Sequence, residues 1–253
     1  MMKFEVITLF EDIIKDYCSY SIMSRAVSQD VVSVNTINPR DFATNKHKKV
    51  DDTPYGGGAG MVLMCEPYIK AYDSIKKEEN SITVMLTPQG KPYNQEIARE
   101  LSTKSQIILI CGHYEGYDER IRKHIEPVEI SLGDFVLTGG ELPALCIIDS
   151  VTRLVEGGIG KIESAHNDSF SDGLLEYPHY TRPVEYERME VPEVLRSGNH
   201  AEIEKWRRAQ QFMRTMKKRP DLWEKFLKEN LSKLSKEDRK ILAALEKSGF
   251  KAN

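Results

Sequence analysis

SLGDFVLTGG, residues 131–140, is the stretch from which the fold is read. It follows a short apolar run with strand character, PVEIS, and precedes ELPALCIIDSVTRL, whose apolar periodicity predicts a helix over 141–154. Main chain is therefore exposed between two ordered elements. Gly133, Gly139 and Gly140 remove side chains at three points of this loop, so N–H and C=O groups can approach a flat ligand closely. Leu132, Phe135, Val136 and Leu137 supply apolar walls. Taken alone, the loop reads equally well as a glycine turn closing a strand–helix unit.

Upstream the pattern repeats. FEVITLF (4–10), VVSVNTI, SITVML and QIILICG read as strands, and SIMSRAVS, EPYIKAYDSIKK and NQEIARELST as helices, the last with Asn94 as N-cap. Apolar, β-branched strands separated by helical patterns predict an α/β domain with a largely parallel sheet over 1–160. Downstream the character changes. Residues 161–176 are polar, lack apolar periodicity and read as a flexible link, and 177–253 read as a small all-α domain with helices from Ser197-Gly198-Asn199, Asp221 and Ser235.

Charge divides the same way. The net charge is −3, yet residues 199–253 hold 15 Lys and Arg against 8 Asp and Glu, and Lys205–Arg219 carries seven basic residues and no acid. A basic helical unit on an acidic body points to a polyanion, with a solvated helix face as the alternative. No apolar run has the roughly 18 residues of a membrane span, and MMKFEVITLFEDII has acids in its apolar stretch and no small-residue cleavage site, which reads against a signal peptide. Cys18, Cys65, Cys111 and Cys146 lie far apart, as expected of reduced cytoplasmic thiols rather than a metal cluster.

Four glycine-bearing loops follow strands or extended runs: DDTPYGGGAGM (51–61), LTPQGKPYN (86–94), CGHYEGYDER (111–120) and SLGDFVLTGG. None matches a phosphate-loop or dinucleotide fingerprint. Loops at the C-terminal ends of α/β strands converge on one crevice, so three of them together predict a ligand site.

These loops, together with SVTRLVEGGIG, DSFSDGLLEYPHYTRP and VPEVLRSGNHAEIEKWR, resemble bacterial tRNA (guanine-N1)-methyltransferase of the SPOUT class. The resemblance implies S-adenosyl-L-methionine-dependent methylation of N1 of the guanosine immediately 3′ of the anticodon. It also implies a deep trefoil knot in the α/β domain, an obligate homodimer with the active site at the subunit interface, and tRNA bound by its anticodon stem-loop. Carried over by position, the methyl donor meets Leu86, Gly112, Tyr114, Glu115, Leu132, Gly133, Asp134, Phe135, Val136, Leu137, Gly139 and Gly140, with Glu115 beside the sulfonium. Asp168 becomes the base for the N1 proton and Arg153 the cation facing O6. Without the resemblance, Asp168 is a turn-capping acid and Arg153 a solvated helix end. Asp172, Glu176 and Tyr55 receive no firm role, and Mg²⁺ is left unassigned. A related knotted methyltransferase acting on another RNA position is one alternative, and a non-catalytic RNA-binding protein on the same scaffold, against which Asp168 and Arg153 speak, is the other.

Overall fold

The computed structural model describes residues 1–159 and 168–247. The chain divides into two compact units, Met1–Ile162 and Glu163–Asn253.

The first unit is built on a five-stranded sheet of β1 (Met2–Ile7), β2 (Val32–Ile37), β5 (Ser81–Pro92), β6 (Gln106–Ile110) and β7 (Val128–Ser131). Their order is β2-β1-β6-β5-β7 and every pairing is parallel. Two-residue strands β3 (Asp51–Asp52) and β4 (Val62–Leu63) form a separate antiparallel pair. The two-residue side-chain period explains the layering. Ile107 and Leu109 of β6 join Phe4, Val6, Val84 and Leu86 under α1 (Glu11–Cys18), α2 (Ser21–Ser28), α4 (Gln95–Ser102) and α6 (Glu141–Thr152). Ile108 and Ile110 face the other way, with Ile7 and Met85, onto Tyr68, Ala71 and Tyr72 of α3 (Cys65–Asp73) and Ile121 and Ile125 of α5 (Glu119–Ile125). All four β6 aliphatics are fully buried, each contributing about 1.5–3 kcal/mol of apolar transfer.

Local chemistry sets the helix starts. Asn94 accepts hydrogen bonds from the Glu96 and Ile97 amides, as its N-cap reading requires, and Asp118 accepts from Arg120 N–H at the head of α5. One expectation changes. The stretch 86–94 reads as a turn, but β5 continues to Pro92: Leu86 and Lys91 both pair with Ile130, and residues 87–90 bulge between them. Gly90 permits this, because a Cβ there would lie 2.3 Å from Ile130 N.

In the second unit, helices Glu193–Arg196, His200–Lys218, Pro220–Asn230 and Lys236–Lys247 enclose Phe212, Met216, Trp223, Phe226 and Leu234. The sequence reading of an all-α unit over 177–253 is corrected here: Glu185–Tyr186 pairs antiparallel with Met189–Glu190. The turn places Glu187 and Arg188 at φ 51° and 65°, a conformation their residue types do not announce. Leu174, inside the stretch read as a link, is buried in this core.

Candidate functional site

At the C-terminal ends of β5, β6 and β7 the loops beginning at Leu86, Gly112 and Ile130 enclose a cavity of about 450 Å³. Of the twelve residues expected around a donor, Leu86, Gly112, Tyr114, Glu115, Leu132, Gly133, Phe135, Val136, Leu137, Gly139 and Gly140 line it. Asp134 does not; it is exposed, next to Gly133, where φ is +148°. The loops are tied main chain to main chain. Gly140 N–H donates to Gly112 C=O (2.9 Å), and His113 and Gly139 form an antiparallel bridge. A Cβ on Gly140 would sit 2.7 Å from Cys111 Cα and 2.8 Å from Gly112 N, so this glycine is required by close approach rather than by its torsion angles. Ser131 Oγ bridges the amide and carbonyl of Gly133 at 3.2 Å each, fixing the entry to the loop.

In the cavity lining, Tyr117 donates its hydroxyl to Ile110 C=O (2.9 Å), satisfying a carbonyl at the end of β6. Burial pushes the Tyr117 and Tyr68 phenols and the Cys111 thiol well above their ordinary pKa values, so all three stay neutral. Cys111 is thus packing, not a nucleophile. On one flank the Glu141 carboxylate, almost fully buried in the first turn of α6, accepts from Thr8 Oγ1 (2.5 Å) and pairs with His113 Nε2 (2.7 Å), while Phe10 covers the imidazole at 4.6 Å between centroids. On the other flank, Arg122 is held by Glu129 (3.2 Å), Glu119 (3.1 Å) and Thr87 Oγ1 (3.4 Å).

Arg122, Tyr117, Thr87 and Pro143 also line the cavity, and nothing in the sequence singles them out as donor contacts. Only the Glu119/Arg122 spacing carries a signal, an i,i+3 ion pair. The 51–61 loop reaches the site indirectly. Glu115 N–H donates to Met61 C=O (3.0 Å), and a Cβ on Gly60 would meet the Glu115 carboxylate at 2.4 Å, whereas Tyr55 is fully exposed and outside the lining.

Arg153 and Asp168 also stand outside that lining. Arg153 is the half-buried C-cap of α6, its N–H donating to Asp149 C=O (3.1 Å). Asp168 is half-buried in the second unit, where its carbonyl accepts from Ser171 N–H (3.1 Å). The flexible link expected over 161–176 falls in part, at 161–167, outside the described residues. The remainder is held: Leu175 N–H donates to Thr215 Oγ1 (2.9 Å) and Glu176 N–H to Ser169 Oγ (3.0 Å).

The basic helix is also less bare than its sequence. Lys205 meets Glu202 (2.9 Å) and Glu237 (3.6 Å), Arg207 meets Glu204 (2.7 Å), Arg208 meets Asp172 and Asp238, and Arg219 meets Asp221 (2.6 Å). These four cations therefore need no external anion, since the chain itself supplies their partners. Among the described residues, no helix is long and apolar enough to cross a membrane, and no group of three or more His, Cys, Asp or Glu could hold a metal ion.

The family model described as tRNA (Guanine-1)-methyltransferase TrmD matches residues 2–225. Among curated proteins, the chain is 52% identical over 246 residues to the tRNA (guanine-N(1)-)-methyltransferase of Staphylococcus epidermidis, covering 97% of this chain and 98% of that one. It is 52% identical over 240 residues to the protein of the same name from Crocosphaera subtropica, covering 94% and 98%. To the Staphylococcus carnosus protein of that name it is 50% identical over 246 residues, covering 97% and 98%.

Proposed function

The chain belongs to the tRNA (Guanine-1)-methyltransferase TrmD family, and from that premise we infer how its residues carry the reaction. It is an enzyme that methylates guanine N1 in tRNA, at the guanosine immediately 3′ of the anticodon. We assign the donor, S-adenosyl-L-methionine, to the cavity at the ends of β5, β6 and β7. The observation that carries this assignment is the glycine-tied loop set. It leaves backbone edges and the exposed apolar surfaces of Tyr114, Phe135, Val136 and Leu137 around a cavity of about 450 Å³, within the ordinary range for such a ligand. The Glu115 carboxylate suits the sulfonium. When bound, the donor supplies an electrophilic methyl group and departs as a neutral thioether.

Guanine N1 carries a proton and becomes a nucleophile as that proton leaves. Asp168 accepts it as a carboxylate, which contributes roughly 10²–10⁴ in rate. Arg153 meets the negative charge that develops at O6. Arg214, Lys217 and Lys218, for which the helix His200–Lys218 supplies the scaffold, contact tRNA phosphates.

The finer features follow the family: a SPOUT-class domain with a deep trefoil knot, a homodimer, a separate tRNA-binding domain in the second unit, and action in the cytoplasm. Exposed Phe10, Ile13, Tyr17, Tyr20 and Leu142 support self-association. Mg²⁺ is assigned to no residue.

The test is product mapping. Unmodified tRNA with a guanosine 3′ of the anticodon is incubated with methyl-labelled donor, digested and analysed by mass spectrometry. Label in N1-methylguanosine at that position is expected; label in a ribose, or at another base, would overturn the assignment in favour of a different RNA target.

A further inference from the structure

We propose that Thr215, Asp172 and Arg208 are positioning residues for catalysis. They fasten the Asp168–Glu176 turn onto the helix His200–Lys218 and so fix the chain on the C-terminal side of Asp168. The proposal rests on the reading of Asp168 as the base.

The turn is over-determined for a polar stretch. Leu174 is buried among Phe212, Met216, Trp223 and Phe226. Thr215, fully buried in the last turn of the helix, donates its hydroxyl to Gln211 C=O (2.7 Å) and accepts Leu175 N–H (2.9 Å), so its one hydroxyl joins the turn to the helix. Asp172 Oδ1 accepts Leu174 N–H (3.2 Å), while Oδ2 accepts from the Arg208 guanidinium. Arg208 in turn reaches Asp238 (2.9 Å) and lies over the Phe212 ring at 4.7 Å, which leaves its fork engaged inside the unit.

Within the turn, Phe170 N–H donates to Leu174 C=O (2.7 Å) and Ser171 N–H to Asp168 C=O (3.1 Å). Phe170 is held at φ 72°, a left-handed conformation that an aromatic residue adopts only when its surroundings impose it. The Asp172 anchor thus follows Asp168 within the same short turn. Held this way, the main chain is fixed on the C-terminal side of Asp168, and misplacement of its carboxylate by about 1 Å costs up to roughly 100-fold in rate.

The test uses the full-length protein with unmodified tRNA and S-adenosyl-L-methionine. Thr215→Val keeps the shape and removes the acceptor, Thr215→Ser keeps the acceptor, and Asp172→Asn, at a half-exposed site that tolerates change, removes the charge. Asp168→Asn is measured alongside. Single-turnover rates at saturation, KM for tRNA across a salt series, and donor-binding stoichiometry to correct for folded fraction are the readouts.

Thr215→Val and Asp172→Asn are expected to slow the single-turnover step about 10–100-fold, with KM, salt slope and donor affinity unchanged. Thr215→Ser is expected to stay near wild type. If Asp168→Asn is slow while Thr215→Val and Asp172→Asn run at the wild-type rate, the positioning role is wrong and the base stands. If Asp168→Asn itself runs normally, the base reading falls and this inference with it. A raised KM and flattened salt slope in Arg208→Lys, at an unchanged rate, would make Arg208 a phosphate ligand and overturn its assignment here.

Discussion

Replacing Gly140 by Ala tests the cavity through backbone alone. The added Cβ would lie 2.7 Å from Cys111 Cα and 2.8 Å from Gly112 N, so the start of α6 and the end of β6 must separate by roughly 0.7 Å to reach ordinary contact. No flexible side chain can absorb this, because the opposing atoms are main chain. Overpacking of this kind costs about 1–3 kcal/mol, and the Gly140 N–H to Gly112 C=O bond of 2.9 Å stretches with it, at up to about 1 kcal/mol more. Gly112 and Gly140 both line the cavity, so the strain falls on the contacts proposed for the donor. Expressed fully there, 1–3 kcal/mol is about a 5- to 150-fold loss of donor affinity. Isothermal calorimetry with S-adenosyl-L-methionine measures it, with circular dichroism establishing that the variant is folded. Unchanged affinity and an unchanged melting temperature would refute the reasoning.

Two further outcomes are expected. Changing Arg214, Lys217 and Lys218 to Ala should lower the log–log salt slope of tRNA binding by roughly one unit for each phosphate no longer neutralised, whereas Arg207→Ala, already paired with Glu204, should leave it nearly unchanged; filter binding across a salt series decides. Asp118 caps α5 and binds Arg120, whose hydrogen bond holds the carboxyl below its usual range. A depressed folded-state pKa stabilises above the unfolded value and is lost as pH falls through the folded one, so Asp118→Ala should cost about 1 kcal/mol at pH 7, with the gap to wild type closing below about pH 4 in urea titrations. A gap of the same size at low pH would show that the charge plays no part.

What the sequence made legible is what depends on neighbours along the chain. The uninterrupted apolar run of β6, the Asn94 cap and the glycines of 131–140 are local signals, and eleven of the twelve residues expected around the donor line one cavity. Features set across the fold were hidden. The register jump from Leu86 to Lys91 exists only against Ile130, and the Arg122 cluster exists only once Glu129 and Thr87 are brought to it. Leu174 is masked by a polar neighbourhood, although its burial is what makes the turn after Asp168 part of the second unit. The Arg208 partners, Asp172 and Asp238, lie 36 and 30 residues away, beyond any helical periodicity. A run of basic residues thus looked like an open polyanion-binding surface when four of its seven cations are internally paired.

The proposed mechanism turns on Asp168 taking the proton from guanine N1, and the most direct measurement is the single-turnover rate of Asp168→Asn with saturating tRNA and donor. Asparagine keeps the size and much of the hydrogen-bonding shape but cannot accept a proton as a carboxylate does. Proton transfer to Asp168 predicts a fall of about 10²–10⁴-fold in the chemical step, unchanged donor affinity, and a residual rate that rises with pH as hydroxide replaces the carboxylate. A rate within a few-fold of wild type, or a profile flat with pH in both proteins, would contradict it.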